Sequence, residues 1–433
     1  MGNRFTLRAA RVYTGDGSTV HAPGTVIIDG GQIVAVGSGL SAEGTVIDYG
    51  EATIVPGLID AHCHITLTGD GRDYQQQMLD PDEMMSLIAA SNMQRHLESG
   101  VTTLRDNGGR NRVVFVVREA IGRGYLSGPR LLLSGRPVTH TGGHFHFCNG
   151  VADSEAEIRA TVRLLVAEGA DHIKIMASGG ATMGNIPYYA SYTAEELRWA
   201  VDAAHALGRL TTAHCRATQS MSNAIEAGSD CIEHAEYLVP GEMLEFGGGV
   251  ASSGRMVYDP AITDRLLDAG TFVSFTIQAG GYDTLVALRA KAARGEPLTD
   301  EENGRRQALE AYYEMKLEIL NGLLRDGMKP KLVISSDAGP FDVAFGGLQH
   351  GLELAVRGGL TPREAIDAAT RIAAEACGIA DRLGTIRTGA LADLLVVDGD
   401  PLTRIADMWR IHQVFAKGVP SIARPPEFAR SAA

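Results

Sequence analysis

The sequence predicts an α/β protein in which a TIM-type (β/α)8 barrel carries a small β-sandwich domain formed by both chain ends. Three observations lead there. Eight short apolar runs alternate with helical patterns through the middle of the chain. β-rich segments of like character stand at its two ends, and metal-friendly side chains fall at the C-terminal ends of the apolar runs.

Taken in order, the first β-rich segment runs from Thr6 to about Ile54, where RVYTGDG, TVIIDGGQIVAVGSG and TVIDYG are divided by Gly and Asp turn signals. At the far end, GTIRTGALADLLVVDGDP followed by IHQVFAKG has the same character. Two such segments predict one composite domain, residues 1–56 with 385–433, and a large domain inserted between them at 57–384. The apolar runs of that insertion are LIDAHCHI (58–65), VTTLRDN (101–107), RLLLSGRPVTH (130–140), HIKIMAS (172–178), LTTAHC (210–215), CIEHAEYL (231–238), FVSFTIQ (272–278) and KLVISSD (331–337). Eight parallel strands close a TIM barrel. The segments between them read as helices: in TAEELRWAVDAAHALG, Thr193 is an N-cap with Glu196 three residues on, a capping box. The charged stretch from Asp283 to Arg325 is the largest insertion and reads as helical.

Composition narrows the function classes. With 45% hydrophobic and 21% charged residues the chain has material for a large core and is neither disordered nor fibrous. A formal net charge of −13 disfavours nucleic acid and anionic membrane as partners, because neither phosphates nor headgroups would be neutralised. The beginning, MGNRFTLRAARVYTGDG, has no apolar signal-like region, and no later stretch stays apolar long enough to span a bilayer, so a cytoplasmic location is expected. Cys63, Cys148, Cys215, Cys231 and Cys377 are odd in number and scattered, which fits reduced, buried thiols.

In a TIM barrel the chemistry sits at the C-terminal ends of the strands. The first run ends in His62-Cys63-His64, and residues at i and i+2 of a strand share a face, so both imidazoles can enter the barrel mouth. The fourth run carries Lys174, the fifth His214, the sixth His234 and the eighth Asp337. One such histidine would be an ordinary hydrogen-bonded core residue; four with a carboxylate make a ligand set for a borderline cation such as zinc. A lysine amid divalent cations loses its proton, and the neutral amine can take up carbon dioxide as a carbamate that bridges two metals.

VPGLIDAHCHI, KIMASGG, AHC, IEHAEYL, SSDAG and the closing ADLLVVD together resemble the amidohydrolase superfamily, over essentially the whole chain. Within it the chain is most similar to the prolidase-like and carboxypeptidase-like branch, which includes Xaa-Pro, Xaa-Arg/Lys and N-acyl amino-acid hydrolases and ochratoxin-degrading enzymes. The resemblance implies two divalent metals: His62 and His64 on the buried one, carboxylated Lys174 bridging, His214 and His234 on the exposed one, and Asp337 as ligand and proton shuttle. It implies His140 and Tyr237 as oxyanion donors, and a homo-oligomer, with an octamer as one form. Arg216, where the branch carries a small residue, can bind a substrate carboxylate, and His144 and His146 in the THTGGHFHF loop can touch substrate. The expected activity is release of a C-terminal L-amino acid from a dipeptide, N-acyl amino acid or ochratoxin-like amide. Two rivals stay open: a cyclic amidase or imidazolonepropionase-like hydrolase, and a non-catalytic scaffold of the same fold. Ala217, where the deaminases carry Glu, argues against deamination.

Overall fold

The computed structural model describes residues 4–243 and 253–421. All eight apolar runs form strands: β1 (Leu58–Cys63), β2 (Val101–Asp106), β3 (Arg130–Leu133), β4 (His172–Ile175), β5 (Leu210–Ala217), β6 (Cys231–Met243), β7 (Phe272–Phe275) and β8 (Leu332–Ile334). β1 to β3 make one parallel sheet in the order β3-β2-β1, and β4 to β8 make a second in sequence order. The two sheets meet at both edges. Isolated parallel bridges join Val138 to Ile175 and Cys63 to Ala338, and Asp337 N donates to His62 O at 2.9 Å. Asp337 is thereby tied to the histidines of β1.

Several strands are shorter than the apolar runs that announce them. β3 stops at Leu133 because Gly135 adopts φ 71° and Pro137 has no amide to donate. β6 is longer than expected: it leaves the parallel sheet and pairs antiparallel with Ser253–Met256, which satisfies its backbone as far as Met243. The charged stretch from Asp283 forms two helices, Tyr282–Ala293 and Asp300–Arg325, broken at Gly295 and Pro297. The expected capping box is present, with Thr193 accepting from Glu196 N, and the same device starts the helices at Glu155, Asp300 and Pro362.

The chain ends build two further sheets. One runs Gln32–Gly37, Gly24–Asp29, Phe5–Ala9, Thr45–Asp48; the other runs Val419–Ser421, Ile411–Ala416, Leu394–Val397, Thr53–Pro56, Arg11–Tyr13, Val20–His21. Leu394–Val397 pairs antiparallel with Thr53–Pro56, so residues from both ends of the chain share one ladder. Leu7, Val26, Ile28 and Ile33 of the first sheet pack in one apolar cluster with Val12, Ile54, Leu394, Val396 and Phe415 of the second. Each is a fully buried aliphatic or aromatic side chain, contributing about 1.5–3 kcal/mol on leaving water. Residues 1–3 and 422–433 of the expected composite domain lie outside the described residues.

Candidate metal centre

Strand ends gather the titratable residues into one buried group. His62 Nε2 lies 3.3 Å from His64 Nε2, and Asp337 Oδ1 lies 3.4 Å from the first and 3.6 Å from the second. Opposite them, His234 Nε2 faces His214 Nδ1 at 2.9 Å, and His234 Nδ1 lies 3.9 Å from Asp337 Oδ2. Ligand atoms about 2.0–2.2 Å from one tetrahedral ion stand about 3.3–3.6 Å apart, which is the spacing of the first trio. His62, His234 and Asp337 each offer an atom within 4.8 Å of the others.

The far side of each ring fixes which nitrogen is available. His64 Nδ1 donates to Gly108 O at 3.3 Å and His214 Nε2 donates to Gly179 O at 3.2 Å, so the inward nitrogen of each carries a lone pair. His62 Nδ1 donates to Glu233 Oε2 at 2.6 Å, and His234 Nδ1 lies 2.8 Å from Thr276 Oγ1. Burial holds all four imidazoles well below the ordinary histidine range, with the Lys174 charge adding to the effect; for His64 the value falls to about 3. Neutral imidazole is the form a cation binds.

Lys174 is the anomaly of the site. Its side chain is fully buried, and among the described residues Nζ has no hydrogen-bond partner. Burial lowers its pKa, opposed by Glu233 and Asp337. Asp337 Oδ1 is likewise buried without a hydrogen bond, and burial pushes the Asp337 carboxyl up to about 7. An unpartnered amine beside an unpartnered carboxylate oxygen, among lone pairs aimed inward, fits a site completed by cations and carbon dioxide.

Two of these residues hold strained backbone. His234 has φ 68° and Asp337 φ 58°, the left-handed region that costs a residue other than glycine about 1–3 kcal/mol. At β6 the strain goes with an irregular register, in which Cys215 pairs with His234 but Ala217 with Leu238.

The remaining expected site residues divide. His144 is at the centre: its ring lies 4.7 Å from that of His214, and its Nδ1 is 2.8 Å from Thr182 Oγ1. Arg216 is next to the centre and mostly buried, with Nε donating to Glu236 Oε2 at 2.6 Å. His140 and Tyr237 are not brought there. His140 is half-buried, 2.9 Å from Thr141 O through Nδ1 and edge-on to Tyr192, and the Tyr237 hydroxyl pairs with Thr263 on the helix Pro260–Ala269. His146 hydrogen-bonds its own turn at Gly143 O.

Sequence reasoning missed a surrounding layer. Glu236 accepts from Arg216, from the Tyr312 hydroxyl at 3.2 Å and sits 3.4 Å from Lys316 Nζ, whose other partners are Thr276 O and Ala279 O. Asp60 accepts from His62 N, from Ser336 N and Oγ, and from His96 Nε2 at 3.1 Å. Asp60, Cys63 and His96 also lie within 4.8 Å of one another, but Gly346 N donates to His96 Nδ1, which leaves the proton on Nε2 and closes the group as a hydrogen-bond network. The repeat of Asp and His two residues apart was the signal available for Asp60.

Comparison with known proteins bears on this arrangement. The model of the amidohydrolase family matches residues 53–420. The chain belongs to the amidohydrolase family. Ochratoxinase of Aspergillus niger is 27% identical, over 92% of this chain and 82% of that protein. Among solved structures, a Xaa-Pro dipeptidase with methionine in its active site aligns with TM-score 0.79 and 26% identity, over 96% of this chain and 99% of that one. A prolidase complexed with N-methylphosphonate-L-proline aligns with TM-score 0.78 and 26% identity, over 97% and 100%. No described helix of this family member is long and apolar enough to cross a membrane.

Proposed function

We propose that this protein is a binuclear metal-dependent amide hydrolase that releases a C-terminal L-amino acid from dipeptides, N-acyl amino acids or ochratoxin-like amides. The observation that carries the reading is the buried, unpartnered Lys174 Nζ among four neutral imidazoles and Asp337. His62, His64, His214, His234 and Asp337 would hold two divalent ions, zinc by default, with Lys174 carboxylated between them. Bound there, the cations supply Lewis-acid polarisation of the scissile carbonyl and of the attacking water.

This chain's residues do the rest. Asp337, whose carboxylate lies beside His62 and His64, takes the water proton and returns it to the departing amine nitrogen. His144 replaces His140 as the imidazole that donates to the carbonyl oxygen in the tetrahedral intermediate, because its ring stands over His214. Arg216, oriented by Glu236, faces the free carboxylate of the substrate. Similarity to an ochratoxinase and to a Xaa-Pro dipeptidase supports an amide whose leaving group is an amino acid.

The same reading takes the eight strands as a closed (β/α)8 barrel at 57–384 and the terminal sheets as a β-sandwich of 1–56 with 385–433, in a cytoplasmic homo-oligomer whose mass in solution tests for an octamer. The deciding experiment is a panel of N-acyl amino acids and dipeptides assayed with zinc and bicarbonate. Cleavage of at least one, with release of the free amino acid, is expected. A chain that cuts none of them while opening a cyclic imide or lactone is a different hydrolase.

A further inference from the structure

Below the candidate metal centre a polar chain crosses from strand to strand inside the protein. His172 Nε2 on β4 donates to Asn107 Oδ1 at 3.0 Å, just beyond β2. Asn107 Nδ2 donates to Glu233 Oε1 on β6 at 3.2 Å, and Glu233 Oε2 receives His62 Nδ1 on β1 at 2.6 Å. Arg105 on β2 braces it: Nη2 donates to Glu233 Oε1 at 2.8 Å and Nε to Ala61 O, the carbonyl next to His62, at 2.8 Å. Glu233, His62, Asn107 and Arg105 are at most 2% exposed.

We infer that Glu233 is a positioning residue that fixes the tautomer and the aim of His62 toward a bound cation, with Arg105 and Asn107 holding it in place. A neutral imidazole has one N–H. Glu233 accepts it at Nδ1, so Nε2 keeps the lone pair and faces His64 and Asp337. Among the described residues His62 is the one ligand histidine whose outer nitrogen hydrogen-bonds a carboxylate; those of His64 and His214 hydrogen-bond backbone carbonyls and that of His234 a hydroxyl. A carboxylate partner strengthens the imidazole as a donor more than a carbonyl does, and losing such a partner costs about 10–100-fold in metal affinity. Glu233 stands beside His234 in the chain but serves the opposite pair of ligands, so its effect falls on the metal held by His62 and His64.

The inference rests on the reading of His62 as a metal ligand, and zinc titration of the whole chain tests both separately. Wild type and Glu233→Gln are stripped with a chelator, returned to zinc and bicarbonate, and titrated by chelator competition. Wild type is expected to take up two zinc ions. Glu233→Gln is expected to keep one at wild-type affinity and bind the other about 10–100-fold more weakly, with occupancy recovered at higher zinc. A purely structural role for Glu233 would lower the melting temperature and leave both affinities alone, which overturns the inference. So does a variant whose two affinities match wild type within twofold. If stranding Arg105 prevents folding, the Arg105→Gln/Glu233→Gln double variant removes the charge pair together and gives the same readout. A wild type that binds fewer than two ions overturns the reading of the site and the inference with it.

Discussion

Replacing Lys174 by Met separates the cost of the site from its use. Among the described residues Nζ is fully buried without a hydrogen bond, so in metal-free protein it is a polar group taken out of water and offset only by the charges of Glu233 and Asp337, a cost of about 1–3 kcal/mol. Methionine keeps the unbranched length and drops the amine. Metal-free Lys174→Met is therefore expected to be more stable than metal-free wild type, with a melting temperature higher by about 1–3 °C, the shift expected for a chain of this length. With zinc and bicarbonate the order reverses. Occupancy of one site at a ligand concentration about 1,000 times its dissociation constant adds about 4 kcal/mol to wild type. The variant, lacking the carbamate bridge, gains little of this and has no activity above background. Differential scanning calorimetry in chelator and in zinc reads both arms. A metal-free variant that melts at or below wild type, or one that still binds two ions, refutes the argument that Lys174 is held unpaired in readiness for a bridge.

Three other outcomes are expected. His144→Asn should lower kcat by about 10²–10³-fold with metal content unchanged, as loss of an oxyanion donor does, while His140→Asn stays within about twofold; equal losses in both would return the role to His140. Arg216→Gln should raise KM for substrates with a free carboxylate by about 10–100-fold and spare their carboxamide analogues, since a hydrogen bond to a charged group contributes about 1.5–3 kcal/mol; an equal effect on both would make Arg216 a packing residue. Burial lifts the Asp367 carboxyl to about 6 from 3.8, although the Tyr13 hydroxyl donates to it at 2.7 Å. The folded state then binds more protons between pH 4 and 6, so this group's contribution to stability falls as pH rises through that window. Asp367→Asn keeps the acceptor for Tyr13, and thermal melts from pH 4 to 7 should decline less steeply than those of wild type; an unchanged slope would show that Asp367 does not carry the dependence.

The strand positions were legible because a parallel strand buried on both faces is a short apolar run, as in LLL of β3 and LVI of β8, recurring between helical patterns. Their ends were not. β3 stops where Gly135 turns, and β6 continues because an antiparallel partner lies outside its own sequence. The gathering of His62, His64, His214, His234 and Asp337 was legible from their places at strand ends. The layer around them depends on contacts no local pattern reveals: Lys316 comes from the middle of a 26-residue helix, and Arg105 from the buried strand VTTLRD. The approach of His144 to His214 turns on a loop whose path is set by its neighbours. A Cβ at Gly180 would stand 2.5 Å from His144 Nε2, so the glycine after β4 makes the room in which that ring approaches His214.

Strain at Asp337 explains why so much buried polarity surrounds β1 and β8. A residue with φ 58° holds its place only if its neighbours over-determine it. On one side, Ser336 is gripped by Asp60 through both its amide and its hydroxyl, and Ser336 Oγ in turn accepts from Ala338 N at 2.9 Å. On the other, Asp337 N is bonded to His62 O and His64 N to Ala338 O. Asp60 also receives His62 N and His96 Nε2, so one carboxylate sets the backbone of a histidine and of the aspartate it faces. Charge-assisted hydrogen bonds of this kind contribute about 1.5–3 kcal/mol each, enough to offset a strain of about 1–3 kcal/mol. Asp60→Asn therefore releases Asp337 before it unfolds the protein: metal affinity should fall more than melting temperature, and a variant that lost stability while keeping wild-type metal affinity would show that the clamp serves the fold alone.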